Sequence, residues 1–314
     1  MLIPLRSPQE ARRPTAVAVG SFDGLHQGHR RVIAEIKSND DVSIIPTVVS
    51  FWPHPREILY GDSRLRLDMP AEKLSLLESL GVEQLVLIPF NERLATLTPD
   101  IFVKEVLKQQ LGAVKVAVGK NFRFGIKRTG DTSDLGRIAQ EFGIKVEILP
   151  MLWDGDEKIS SSRIRKALGE GQIQEATRLL GRPYRFRGSI FNIPSLEPGL
   201  SCSNVRLQVD GRKFLPREGI YAAWVRFEQK ITSQPRIGAI MNLEPHLSID
   251  PKSQSIVEIQ LLDQPSIYQG LHLYIEPVCL IRNQQKFSSV DKIRQQIAKD
   301  IEFASKILGI SKIN

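Results

Sequence analysis

The sequence predicts two domains of different class: an α/β domain with a parallel sheet over residues 1–183, then a small antiparallel β-barrel with a C-terminal helix over residues 184–314. Two observations set this division. Before Pro183, short Val- and Ile-rich runs alternate with stretches of helical periodicity, the pattern of parallel strands joined by crossover helices. After it, strand-length runs follow one another with turn residues between them and no helix until Ser288. A chain of 314 residues can hold two cores, and its 41% hydrophobic and 25% charged content is that of a folded globular protein.

The first element is Ala16–Gly20, apolar and closed by glycine, a buried strand leading into a tight turn. Asp23, Gly24, His26, Gly28 and His29 follow, and Arg30, Arg31, Val32, Ile33 and Ile36 continue at helical spacing. His29 is therefore at or near a helix N-terminus, where free N–H groups and the helix dipole favour an anion. The H-x-G-H pair suits two chemistries. As imidazolium groups or hydrogen-bond donors, the histidines can stabilise charge on an α-phosphate and a departing pyrophosphate. As metal ligands they lack a third ligand at suitable spacing. A plain turn and cap pair is the structural alternative, weakened by the strand, glycine turn and F-D-G around it.

Residues 42–51 read as a second buried strand, with Pro46 marking a bulge or an edge. Two prolines then hold Trp52–Pro55 in a stiff extended loop around His54. Pro70–Leu80 is a helix closed by Gly81, Gln84–Pro89 a strand, Pro99–Leu111 a helix opened by Thr98, and Val114–Val118 a strand. In the loop Val118–Asp131, Phe122 and Phe124 offer ring faces and Arg123, Lys127 and Arg128 positive charge, with at least one of the two rings expected to be a packing residue. Thr132–Phe142 is a helix, Lys145–Leu149 a strand, and Asp154–Asp156 a turn. Serines before Arg163, Ile164 and Leu168 give a helix start in Ile159–Arg165, and Gly171–Leu180 is the last helix of the domain. Right-handed crossovers bring the loops that follow the strands to one edge of the sheet.

The barrel strands are expected at 184–191, 203–209, 219–227, 236–241, 255–262 and 271–280. Ser288–Leu308 closes the chain as an amphipathic helix with Val290, Ile293, Ile297, Ile301 and Ala304 toward the barrel.

GSFDGLHQGH resembles the ATP-binding signature of the prokaryotic bifunctional riboflavin kinase/FAD synthetase family, within the nucleotidyltransferase superfamily. The resemblance implies a Rossmann-like nucleotidyltransferase domain that transfers AMP from MgATP to FMN, giving FAD and pyrophosphate. It assigns ATP contacts to Gly20, Phe22, Asp23, Gly24, His26, Gly28 and His29. I-S-S-S-R-I-R resembles the family's phosphate-binding I-S-S-T-x-I-R, adding Ser161, Ser162 and Arg165, and His26, His29 and Arg165 are the implied catalytic groups. On the flavin side it implies Phe51, Pro53, His54 and Pro55 from the F-x-P-H-P loop, and Asn121 and Phe124 from V-G-K-N-F-R-F-G.

The second half resembles the family's riboflavin kinase domain in order and length. E-I-Q-L-L-D places Glu258 where the kinase carries its general base. The kinase signature G-R-x-x-G-x-P-T-A-N departs here: Ile193–Asn204 lacks the arginine, has Ser201 for proline and Cys202 for threonine, and keeps Asn204. Threonine and asparagine oxygens hold Mg²⁺ with the ATP phosphates in the family, and a thiol is a poor ligand for that hard ion. The expectation is an FAD synthase whose riboflavin kinase activity is in doubt. The alternatives are a fully bifunctional enzyme and a barrel that only binds flavin or regulates.

A formal charge of +8 and a pI near 9.5 suit anionic partners, here ATP and FMN, with riboflavin as a further small-molecule substrate. Basic residues are scattered among acidic ones with no nucleic-acid motif, so nucleic acid is not an expected partner. No apolar run is long enough for a bilayer and the N-terminus lacks an apolar signal core, so a cytoplasmic protein without a membrane partner is expected. Cys202 and Cys279 form no C-x-x-C pair, and Cys279 reads as a buried packing residue.

Overall fold

The computed structural model describes residues 2–37, 43–61, 65–192, 204–228, 236–244, 254–262 and 271–310. They divide into two compact units, Met1–Arg64 with Asp68–Ser160, and Leu65–Leu67 with Ser161–Asn314.

The first unit is a six-stranded parallel sheet of β1 (Ile3–Leu5), β2 (Thr15–Val19), β3 (Ile45–Trp52), β4 (Gln84–Pro89), β5 (Ala113–Gly119) and β6 (Lys145–Leu149), in the order β1-β4-β3-β2-β5-β6. Its helices are α1 (Gln27–Glu35), α2 (Pro55–Tyr60), α3 (Pro70–Ser79), α4 (Glu92–Ala95), α5 (Pro99–Ile101) and α6 (Thr132–Glu141). Both faces of the sheet are covered, which is why β2 is buried throughout and Ala16–Val19 are apolar rather than alternating. Ala16 and Ala18 pack in one cluster with Phe22 and Ile33, while Val17 and Val19 pack in the other with Phe102, Phe124 and Leu135. A short hairpin, β7 (Trp153–Asp154) and β8 (Glu157–Lys158), brackets the anticipated turn.

Three local readings change. Pro46 marks neither an edge nor a lost pairing: β3 is an interior strand flanked by β2 and β4, and the proline is its second residue, where a missing N–H costs little. Pro55 begins α2 instead of extending the loop, since its fixed φ suits a first helical turn. The segment opened by Thr98 continues from α5 as a π-helix over Phe102–Gln110. The three-residue edge strand β1 was not anticipated.

The second unit holds α7 (Ser161–Gly169) and α8 (Ile173–Leu180), which precede residue 183 in the chain, and a closed barrel. The barrel strands are β9 (Phe186–Asn192), β10 (Asn204–Asp210), β11 (Gly219–Phe227), β12 (Ile237–Leu243), β13 (Gln254–Leu261) and β14 (His272–Arg282), in the order β10-β13-β12-β11-β14-β9. All neighbours are antiparallel. The terminal helix α9 (Val290–Leu308) packs through its later turns: Ala304 and Leu308 join Ile220, Ala222, Ile240 and Leu262. Val290 and Ile293, expected against the barrel, are 59% and 40% exposed. The helix is held further along, where buried Asp300 accepts from Arg282 at 2.8 Å. Cys279 is half-buried rather than buried.

Leu65–Leu67 is built into this second unit. Arg66 N–H donates to Arg212 O and Phe214 N–H to Arg66 O, each at 2.7 Å. Lys213, 2% exposed, donates from Nζ to Leu67 O at 2.6 Å and Arg185 O at 3.0 Å, over the Tyr184 ring. Among the described residues, no helix is long and apolar enough to cross a membrane.

Candidate active site

In the first unit, parallel β2, β3 and β5 are adjacent, so the segments that follow them share one edge of the sheet, as expected from the crossover rule. After β2 the chain is strained. Phe22 and Leu25 take φ of 44° and 43°, left-handed values that typically cost about 1–3 kcal/mol for a residue with a side chain. Burial holds them there, since both are at most 2% exposed.

This turn sets the two histidines. His26 is the N-cap of α1, and its Nδ1 accepts the His29 backbone N–H at 3.3 Å. A nitrogen that accepts carries no proton, so in the neutral ring the proton is on Nε2, and His26 presents an N–H donor there. The His26 and His29 rings stack with centroids 3.7 Å apart, and Phe22 meets His29 edge-on at 5.3 Å. Two glycines make room. A Cβ on Gly20 would lie 3.2 Å from the Phe22 ring, and one on Gly28 would lie 3.1 Å from His26 Cε1.

Burial pushes the His26 pKa down to about 4, with the Asp68 charge opposing. His29 is held well below the ordinary imidazole value by burial, then by His26 and Lys73. Both rings are thus neutral near pH 7. A neutral ring can act only as a hydrogen-bond donor or acceptor, not as a cation. His29 Nδ1 is buried without a hydrogen-bond partner among the described residues.

With a folded pKa near 4 and an unfolded value of 6.5, the unfolded chain binds more protons between them, so His26 lowers stability as pH falls through 6.5 toward 4. The loss should approach ~3 kcal/mol at pH 4, and urea unfolding at pH 7.5, 6 and 5 should show a shallower fall in a His26→Asn variant.

Lys73 was not anticipated. It is 8% exposed on α3, donates from Nζ to Ser21 O at 2.9 Å, and Ser50 Oγ donates to the same carbonyl at 3.1 Å. The signal was present in the sequence: Lys73 stands four residues before buried Leu77, in phase with the apolar face. Asp23, predicted on the nucleotide side, is buried with Oδ1 accepting from Asp68 N–H at 3.3 Å.

On the predicted flavin side, Phe51 is the last residue but one of β3 and is partly buried against the cluster that contains Phe124. Pro53, His54 and Pro55 are half-buried, and Asn121 is exposed in the loop after β5. Phe124 is 6% exposed, paired by its backbone with Gly130, and packed on Phe102. It is the packing residue of the pair; Phe122, stacked on it at 5.6 Å, keeps the more accessible ring.

In the second unit, Ser161 and Ser162 open the nine-residue helix α7. Arg165, one turn on, donates from Nε to Leu65 O at 3.2 Å, and Arg163 pairs with Glu175 at 2.9 Å. On the barrel, Asn204 opens β10 and is opposite Gln260, while Glu258 is opposite Arg206, so Asn204 and Glu258 share the outer face on neighbouring strands. Cys202 lies outside the described residues. Among those described, no group of three or more His, Cys, Asp or Glu side chains could hold a metal ion.

The FAD synthetase family matches residues 8–163 and the riboflavin kinase family residues 180–308. The chain is 32% identical to a bifunctional riboflavin kinase/FMN adenylyltransferase of Buchnera aphidicola, covering 94% of this chain and 95% of that protein. A protein of the same name from Escherichia coli K12 is 30% identical, with 98% and 96% covered. A Streptococcus pneumoniae structure described as a macrolide-efflux protein superposes with a TM-score of 0.80 at 27% identity, covering 97% of this chain and 99% of that one. These matches run through the barrel, and the expectation that its kinase activity is in doubt finds no support in them.

Proposed function

Because the chain belongs to the bifunctional riboflavin kinase/FMN adenylyltransferase family, we propose that it carries out both reactions of that name. Residues 1–183 transfer AMP from MgATP to FMN, and residues 184–314 phosphorylate riboflavin. In the first, a phosphate oxygen of FMN attacks the α-phosphorus of ATP, the new P–O bond forms, and pyrophosphate leaves. FMN phosphate is largely ionised near neutral pH, so the step asks for positioning and charge stabilisation rather than a strong base.

The observation that carries this reading is the geometry of His26, which caps α1 by accepting the His29 N–H at Nδ1 and so leaves Nε2 to donate at the start of the helix, beside buried His29. Ser161, Ser162 and Arg165 are assigned phosphate contacts by motif. Phe51, Pro53, His54, Pro55 and Asn121 form the flavin side, with Phe124 shaping it from beneath. For the kinase, the riboflavin 5′-hydroxyl attacks the γ-phosphorus of MgATP, Glu258 takes its proton, and ADP leaves. Asn204 supplies a hard amide oxygen toward the magnesium of that substrate.

One observation favours a synthase with a silent barrel, the thiol of Cys202 where the signature has threonine. Offering MgATP with riboflavin in one reaction and with FMN in another, and separating the flavins, tests both. FMN and FAD from riboflavin support the bifunctional reading; FAD from FMN alone supports the silent barrel; no FAD in either overturns the synthase. Gly28→Ala, which drives a methyl into the His26 ring, should lower FAD formation about tenfold or more. Its urea unfolding should show a loss of ~1–3 kcal/mol.

A further inference from the structure

The outer face of the barrel carries a row of polar side chains centred on Glu258. Strand register puts Arg206 of β10 directly opposite Glu258 of β13, and Asn242 of β12 directly opposite it on the other side. Directly opposed side chains on one face are within contact of each other. Arg206 Nε donates to Glu258 Oε1 at 2.8 Å, and Asn242 Nδ2 donates to Glu258 Oε2 at 3.2 Å. Behind Asn242, Gln284 Nε2 donates to Asn242 Oδ1 at 2.6 Å and to Leu243 O at 2.9 Å. That contact fixes which end of the Asn242 amide is oxygen, and so turns its NH₂ toward Glu258.

The carboxylate is therefore gripped at both oxygens from opposite sides. An ionised carboxylate offers about four lone-pair positions. Among the described residues, Arg206 and Asn242 take one on each oxygen, so each oxygen keeps one with which to accept a hydroxyl proton. The two grips differ in kind: Asn242 is backed by Gln284, whereas Arg206 brings a planar, permanently charged group. The side chains of Arg206 and Glu258 are 46% and 36% exposed, so the pair is wetted, and a contribution to folding alone would be small.

Resting on the kinase reading of the barrel, we propose that Arg206 is a positioning residue for that reaction: it fixes the rotation of the Glu258 carboxylate so that a free lone pair meets the riboflavin hydroxyl. Arg206 touches no reacting atom and acts only through Glu258. Without it, the carboxylate is held on one oxygen and can turn about its side chain.

The test is a double-mutant cycle on the full chain, with riboflavin kinase kcat and KM as the readout and FAD formation from FMN as an internal control. Arg206→Met should lower kinase kcat by about 10- to 100-fold, the scale for a misplaced catalytic group, with riboflavin KM within about twofold. Arg206→Lys, which keeps the charge without the planar fork, should recover part of the loss. In a Glu258→Gln background, Arg206→Met should cause no further loss, because there is no base left to orient. FAD formation should stay unchanged throughout. An unchanged kcat in Arg206→Met, or losses that multiply with those of Glu258→Gln, overturns the positioning role while leaving the kinase intact. If the unsubstituted chain makes no FMN from riboflavin, the kinase reading falls and this role falls with it.

Discussion

Replacing His26 by asparagine should lower kcat for FAD formation from FMN by about 10²- to 10³-fold, the effect of losing one preorganised donor to a developing oxyanion. Asparagine is chosen because His26 has two jobs. Its Nδ1 caps α1 by accepting the His29 N–H. Asparagine is among the best residues at that position, so the helix keeps its cap, and only the Nε2 proton and the ring stacked on His29 are lost. At pH 7.5, where the native ring is neutral, Tm should move little. A kcat within threefold of the parent, measured by flavin separation under saturating MgATP and FMN, would remove His26 from the reaction. Alanine could not separate these roles, since the lost cap would cost about 1 kcal/mol on its own.

The second large effect belongs to the barrel. Glu258→Gln should reduce FMN formation from riboflavin by about 10²- to 10⁴-fold, the range for a general base, and leave FAD formation from added FMN untouched. The two reactions differ in what their nucleophile needs. FMN brings an ionised phosphate oxygen. Riboflavin brings an alcohol, whose proton must leave as the bond to phosphorus forms. Glutamine has the same shape and still accepts from Arg206 or Asn242, so loss of the fold is not the expected cause. Single-turnover flavin analysis showing undiminished FMN formation would exclude Glu258 as the base.

Much of this architecture could be read from residue order because each signal was local. Gln84–Pro89, Lys145–Leu149 and Gly219–Phe227 occur as strands with the limits anticipated, being apolar or β-branched runs between turn residues. The H-x-G-H turn was legible for the same reason: glycine, N-cap and helix start lie within ten residues. What escaped depends on partners far along the chain. Pro46 suggested an edge, but the place of β3 between β2 and β4 is a property of the whole sheet. Val290 and Ile293 have the right period for a buried face, yet period cannot say where the surface beneath a helix ends. Lys73 is in phase with the apolar face of α3, but no local pattern names its acceptor, because the Ser21 carbonyl is 52 residues away. The charge state of the histidines was open for the same reason, since burial decides it and no short motif reports burial.

The three residues Leu65–Leu67 bear on any attempt to take the enzyme apart. They come early in the chain, yet the backbone of Arg66 is bonded on both sides to the 212–214 segment, and the buried ammonium of Lys213 donates to Leu67. A fragment begun at residue 184 would carry Lys213 without that acceptor, exposing a cation site that was closed and leaving the amide of Phe214 to water. The chain is thus sewn rather than strung: cutting it at the sequence junction severs a stitch that crosses the cut. A gene fission separating the two proposed activities would have to replace that stitch, or supply residues 65–67 from the other fragment, before the second half could pack as it does here.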